Sequence, residues 1–205
     1  MREGSKRFFP PIHFPFIFFE IYFFQIFESN KSEMIPLSHS MLNFMKKVLT
    51  NFSDINQDNF VKEEILLKAS SLILTLQKDE NIQPELFLSY QEILLNVGEP
   101  LKALENSLSA LNIFPQSIEI NTSHLRLLIK MYACSVMSGK SIFGDKQSCA
   151  SKLDLFIKQS LQNGIVHASY EMSSLVIDYH VSHQTPHKLL LELMNVKYAP
   201  KVHSK

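Results

Sequence analysis

Residues 84–117 read PELFLSYQEILLNVGEPLKALENSLSALNIFPQS, and this stretch decides the fold. Pro84 to Val97 carries apolar residues at three- and four-residue spacing, as one face of a helix requires. Gly98 follows, and glycine gives a permissive backbone just past a helix end. Pro100 suits the first turn of a second helix, where its missing N–H costs nothing. That second helix runs to Phe114, and Pro115 stops it. Ala103 and Ala110 lie seven apart on one face, so a neighbouring helix can approach closely there. The expectation is a helix, a corner at Gly98, and a second helix folded back on the first.

This unit resembles a tetratricopeptide-like helical repeat. Phe87 stands at the family's leading aromatic, Gly98 at its inter-helix turn, Ala103 at the small residue of its second helix, and Pro115 at its closing proline. Gln91, Leu94 and Ser107 depart from the pattern, which has a small residue, a tyrosine and an aromatic at those places. The resemblance covers 34 of 205 residues. It implies an all-α fold of antiparallel helix pairs stacked as a short right-handed array, with a HEAT-like array as the alternative.

The flanking sequence agrees with helix pairs. Met41, Leu42, Met45, Val48, Leu49 and Phe52 form one stripe, with Ser38 or Ser40 as cap after a loop at 30–37. Ile65, Leu66, Ala69, Leu72, Ile73 and Leu76 form the next, over about 60–77. Downstream, helices are expected over about 122–137, 148–162 and 165–182, with a last short one after Pro186. The helix at 122–137 is apolar on most sides (Leu125, Leu128, Ile129, Tyr132, Ala133, Val136), which places it centrally. Short loops make consecutive helices antiparallel neighbours. Gly98 and Gly139 each follow a first-of-pair helix.

Composition excludes several classes. Twenty basic and twenty acidic residues give zero formal charge, with no basic stripe for nucleic acid. Two cysteines make no disulfide framework. Cys134 reads as a small core residue; a bridge to Cys149 across a helix hairpin is the other reading. Asn30, Asn51 and Asn121 head Asn-x-Ser triplets that matter only in a secreted chain.

The segment 8–27, FFPPIHFPFIFFEIYFFQIF, differs from the rest and holds nine of the sixteen phenylalanines. Arg2, Lys6 and Arg7 precede it, in the layout of a leader or signal-anchor. Glu20 is costly in lipid, and Pro10, Pro11 and Pro15 shorten the helix to about 16–27, below the roughly 20 residues that span a bilayer. Three readings stand: a membrane-inserting leader or anchor, a hydrophobic extension that packs on the helical body or stays loose, and a chain that naturally begins at Met34. The domain reading is residues 1–33 as this extension, 34–198 as the helical-repeat domain, and 199–205 as a flexible tail.

Catalytic signatures are sparse. Ser138-Gly139-Lys140-Ser141 imitates the end of a phosphate loop, but Cys134 stands where that loop needs glycine and a helix precedes it. Asp178, His180, His183 and His187 are metal-type side chains, yet Pro186 breaks the helix between the last two. No Gly-x-Ser-x-Gly, His-Glu-x-x-His or Cys-x-x-Cys occurs. The chain is therefore expected to be no enzyme and to need no cofactor, metal, nucleic acid or small-molecule substrate. Its expected work is as a protein–protein scaffold or adaptor, alone or within a larger complex, in the cytoplasm or nucleus. The rival is a membrane-associated helical protein held by 8–27.

The resemblance also implies a binding surface. The first helix of each pair lines a concave groove, which here would carry Glu85, Leu88, Glu92, Leu95 and Asn96. Leu88 and Glu92 replace the Lys and Asn that clamp a partner's C-terminal carboxylate in some family members. The groove therefore suits an apolar or basic peptide or helix. The plainer expectation is that Leu88 and Leu95 pack on a neighbouring helix.

Overall fold

The computed structural model describes residues 34–51, 59–77, 81–138 and 144–182. Segment 8–27, the phosphate-loop-like Gly139–Ser141, His183, His187 and the last expected helix lie outside them. Among the described residues every regular element is a helix: α1 (Met34–Asn51), α2 (Asn59–Leu76), α3 (Pro84–Asn96), α4 (Pro100–Ile113), α5 (Ile118–Ser138), α6 (Lys146–Gln162), α7 (Ile165–Ala168) and α8 (Tyr170–Ser182).

The corner between α3 and α4 is built as its sequence requires. Gly98 has φ 85°, a left-handed conformation that L-residues resist. Its N–H donates to Leu95 O (3.2 Å), and the Glu99 N–H donates to Leu94 O (2.8 Å). These are the two bonds of a Schellman ending, which satisfy carbonyls the helix leaves bare. Pro100 then opens α4 at a position that needs no donor. Across the pair, the Asn106 side-chain amide donates to Phe87 O at 3.0 Å, so α4 returns along α3. Gly164 (φ 75°) ends α6 in the same left-handed conformation, its N–H donating to Leu161 O at 3.1 Å.

Helix ends elsewhere differ from the sequence expectation. α1 begins at Met34, inside the stretch expected as loop. Pro36 is tolerated because it sits in the first turn, whose N–H groups have no intrahelical acceptor. Ser38 is therefore no cap but a fully buried residue of the helix, and Ser40 donates back to Pro36 O. α5 begins at Ile118, capped by Ser117, whose hydroxyl accepts the Ile120 N–H. α6 begins at Lys146, capped by Asp145, whose carboxylate accepts the Ser148 N–H at 2.7 Å. The helix expected over 165–182 is two, because Ser169 is extended (φ −128°, ψ 121°) and its hydroxyl accepts the Met172 N–H. Serine at that point competes with the helix and caps the next one.

Two clusters of buried side chains make the core. The first joins α1, α2 and one side of α3, with Leu42, Met45, Ile65, Ile73, Leu86, Phe87 and Ile93 at its centre. The second joins α5, α6, α7 and α8, with Leu125, Leu153, Val166, Met172 and Val176. The α3–α4 hairpin belongs to both. Phe87 and Ala110 enter the first cluster; Leu94 and Ala103 enter the second. The two alanines are buried, which lets backbones come close, but they serve different halves of the core. α5 packs against α3, α4, α6, α7 and α8, so its central place agrees with its apolar composition. Its outer side differs from expectation, since Val136, Ala133 and Cys134 are exposed. Cys134 is thus no core residue, and neither it nor the buried Cys149 forms a disulfide, so the bridge between them is not made.

Leu67-Lys68-Ala69 of α2 recurs 34 residues on as Leu101-Lys102-Ala103 of α4. Ala69, Leu72, Ile73 and Leu76 are buried, and so are Ala103, Asn106, Ser107 and Ala110 at the same register. Leu67 and Leu74 are exposed, and so are Leu101 and Leu108. Even the back-bonded hydroxyls correspond: Thr75 donates to Ser71 O, and Ser109 donates to Glu105 O.

Candidate protein-binding surface

The five groove positions have different surroundings. Glu85 is exposed in the first turn of α3, where a carboxylate suits the helix dipole. Leu88 is half-buried against the first cluster, and Leu95 is half-buried against the second. Asn96 is half-buried at the end of the helix. Glu92 is exposed but not isolated: its carboxylate meets Lys46 Nζ of α1 at 2.8 Å. A neighbouring helix therefore already offsets the negative charge that would attract a basic peptide. Farther along, Arg126 of α5 pairs with Glu171 of α8 in the same manner. Both ion pairs tie one helix to another across a solvated surface, and each contributes little stability there.

Beneath this surface the hairpin is fixed by polar contacts that are buried or partly buried. Ser70 Oγ of α2 and Tyr90 Oη of α3 lie 2.6 Å apart. Gln91 Nε2 donates to Ser123 Oγ of α5 at 3.0 Å, and Ser107 Oγ of α4 lies 2.8 Å from His124 Nδ1. Adjacent residues of α5 thus each bond one helix of the hairpin. His124 is 3% exposed and meets the Phe156 ring of α6 edge-on at 4.7 Å. Burial removes the water that would solvate a charged imidazole, and its pKa falls to about 4. At neutral pH it is an uncharged hydrogen-bonding group. Tyr179 is likewise pushed above the ordinary phenol range, first by burial and then by the Asp154 carboxylate 3.3 Å from its hydroxyl.

The remaining sequence candidates separate. His180 is buried and stacks obliquely on Tyr179 at 5.3 Å. Asp178 stands on the same helix, and the other two histidines of that group lie outside the described residues. Among the described residues no group of three or more His, Cys, Asp or Glu could hold a metal ion. Asn121 is buried and donates to Pro115 O and Ser117 O, so it closes the α4–α5 turn and is closed to a glycan. Among the described residues no helix is long and apolar enough to cross a membrane.

The sequence reading missed the outer leucines. Leu67 is 72% exposed and Leu74 63%, while α3, the groove helix, exposes no large apolar side chain. The signal was present as the repeated Leu-Lys-Ala, but both leucines also fit a helix that is apolar all round. No family model, curated protein or solved structure matches the chain.

Proposed function

We propose that the chain is a non-catalytic protein-binding scaffold, built as a right-handed array of antiparallel helix pairs of the tetratricopeptide type. The observation that carries this reading is the 34-residue recurrence of sequence and burial between α2 and α4. A repeat of that length is one helix pair, which buries its apolar face only by stacking on the next. The order of helix contacts also supports the reading. The first helices α1, α3 and α5 meet in succession, and the second helices α2, α4 and α6 find their main partners among them. Such a stack offers a preformed surface to another protein, and binding then needs no ordering of the scaffold.

In this reading the face of α3 that bears Glu85, Leu88, Glu92, Leu95 and Asn96 is a docking groove for an apolar or basic helix. No covalent chemistry, cofactor or nucleic acid takes part, and the protein works in the cytoplasm or nucleus. The test is recovery of a directly binding protein partner by the purified full chain. Recovery is then repeated with the exposed charges reversed by Glu85→Lys and Glu92→Lys. A partner that binds the wild type saturably and the double variant weakly supports the groove. A chain with no saturable protein partner overturns the scaffold reading, and a partner indifferent to both reversals overturns the groove.

A further inference from the structure

Asn163 and Gly164, at the corner between α6 and α7, are the one Asn-Gly pair in the chain; each other asparagine precedes a residue that bears a side chain. Both residues are exposed, and an added Cβ at Gly164 would meet no atom within 4 Å. The approach to the peptide between them is therefore open. Where asparagine precedes a small hydroxyl residue, at Asn106–Ser107 and Asn121–Thr122, both members are buried. Asn96 precedes Val97, whose branched Cβ crowds the peptide. We propose that Asn163 is a self-modification site, at which the chain converts its own side-chain amide to a carboxylate through a cyclic imide.

The step needs only the corner and water. The Gly164 backbone nitrogen bonds to Asn163 Cγ, and the Cγ–Nδ2 bond breaks. The proton of that backbone nitrogen leaves with Nδ2, which departs as ammonia. Water then adds to one of the two imide carbonyls and opens the ring. Cleavage of the new N–Cγ bond gives aspartate. Cleavage of the original peptide bond gives isoaspartate, whose main chain runs through the former side chain and is one carbon longer. Nothing is oxidised or reduced.

The folded corner restrains this step without forbidding it. The Gly164 N–H donates to Leu161 O at 3.1 Å, and the Asn163 N–H donates to Gln159 O at 2.9 Å. Asn163 sits at φ −82° and ψ −1°. Ring closure needs the Gly164 nitrogen turned onto the side-chain carbon, a rotation about that ψ which breaks the bond to Leu161. The bond lies at a helix end, where local opening is least costly. The product then disturbs what the corner holds. A carboxylate at the end of α6 meets the negative pole of the helix dipole. α7 begins directly after the corner, and its Ile165 and Val166 are buried in the second cluster. The longer main chain of isoaspartate shifts their entry into that cluster.

The test incubates the purified full chain in mildly alkaline buffer, folded and in urea, and maps its peptides by mass spectrometry. In the folded chain Asn163 is expected to convert before every other asparagine, to isoaspartate and aspartate together, and to convert severalfold faster in urea. Gly164→Ala should slow conversion severalfold in both. Strain at a φ of 75° would by itself loosen the corner and speed the step, so slowing in the folded variant assigns the reactivity to the bare glycine. Aged wild type should melt lower than fresh protein. Asn163→Gln, whose longer side chain does not close so small a ring, should keep its melting temperature when aged alike. Earlier conversion of another asparagine in the folded chain overturns the proposal, as does equal conversion in Gly164→Ala. Conversion to aspartate alone overturns the imide route. A folded chain whose Asn163 stays intact while the urea-unfolded chain converts overturns the proposal as well. An aged, converted wild type that melts as fresh protein does overturns the effect on α7.

Discussion

Ser107 Oγ of α4 and His124 Nδ1 of α5 share a hydrogen bond at 2.8 Å, with the serine 1% and the histidine 3% exposed. The bond joins the hairpin to the central helix. On its other side the imidazole meets the Phe156 ring edge-on. Removing the hydroxyl should therefore cost more than one ordinary hydrogen bond, because a buried ring nitrogen is left without a partner. Ser107→Ala is expected to lose about 1–3 kcal/mol in urea unfolding. Ser107→Phe should lose more, because its ring enters space that His124 holds, and His124→Ala should recover part of that loss in the same measurement.

The same histidine gives the fold a pH dependence. Its pKa in the folded chain is about 4, against an ordinary 6.5 in the unfolded chain. Above pH 6.5 neither state binds the proton, and the contribution to stability is whole. As pH falls from 6.5 towards 4, the unfolded chain takes up a proton that the folded chain refuses, so stability is lost; below about 4 the loss stops growing. The full loss is on the order of 3 kcal/mol. Urea midpoints at pH 7 and pH 4.5 should differ by less in His124→Gln than in wild type. An equal shift in both would show that other groups cause it.

Gly98 makes a separable prediction. An added Cβ would meet no atom within 4 Å, so only the φ of 85° opposes a larger residue. Gly98→Ala should cost about 1–2 kcal/mol, the left-handed penalty, and Gly98→Asn less. Thermal unfolding of the two variants checks the order. A loss well above that range would mean that the corner is crowded as well as left-handed.

How far the sequence discloses this molecule follows from the range of the forces involved. The corner was legible because Gly98 and Pro100 act through their own backbones, and the buried stripes of α1 and α2 because helical periodicity is local. The start of α1 was not, since Pro36 and Ser38 read alike as loop residues or as a first turn; packing on α2 and α3 decides between them. Gln91 and Ser107 read as isolated polar residues on apolar helices until α5 brings Ser123 and His124 to them. Glu92 reads as a free charge until α1 supplies Lys46. The exposure of Leu67 and Leu74 depends on which side of an apolar helix meets the core, which composition leaves undetermined.

The Lys46–Glu92 contact supplies the last prediction. Both side chains are partly in water, at 31% and 56% exposure. An ion pair so placed gains little, because water screens it and holding two long side chains costs entropy. A double-mutant cycle with Lys46→Met and Glu92→Gln should give a coupling under about 1 kcal/mol, smaller still in 0.5 M salt. Its weight falls instead on recognition. Lys46→Met frees the Glu92 carboxylate, and a lysine-bearing peptide in the groove should then bind more tightly to that variant than to wild type, by a factor that shrinks as salt is raised. Unchanged affinity of such a peptide would mean that Glu92 takes no part in binding.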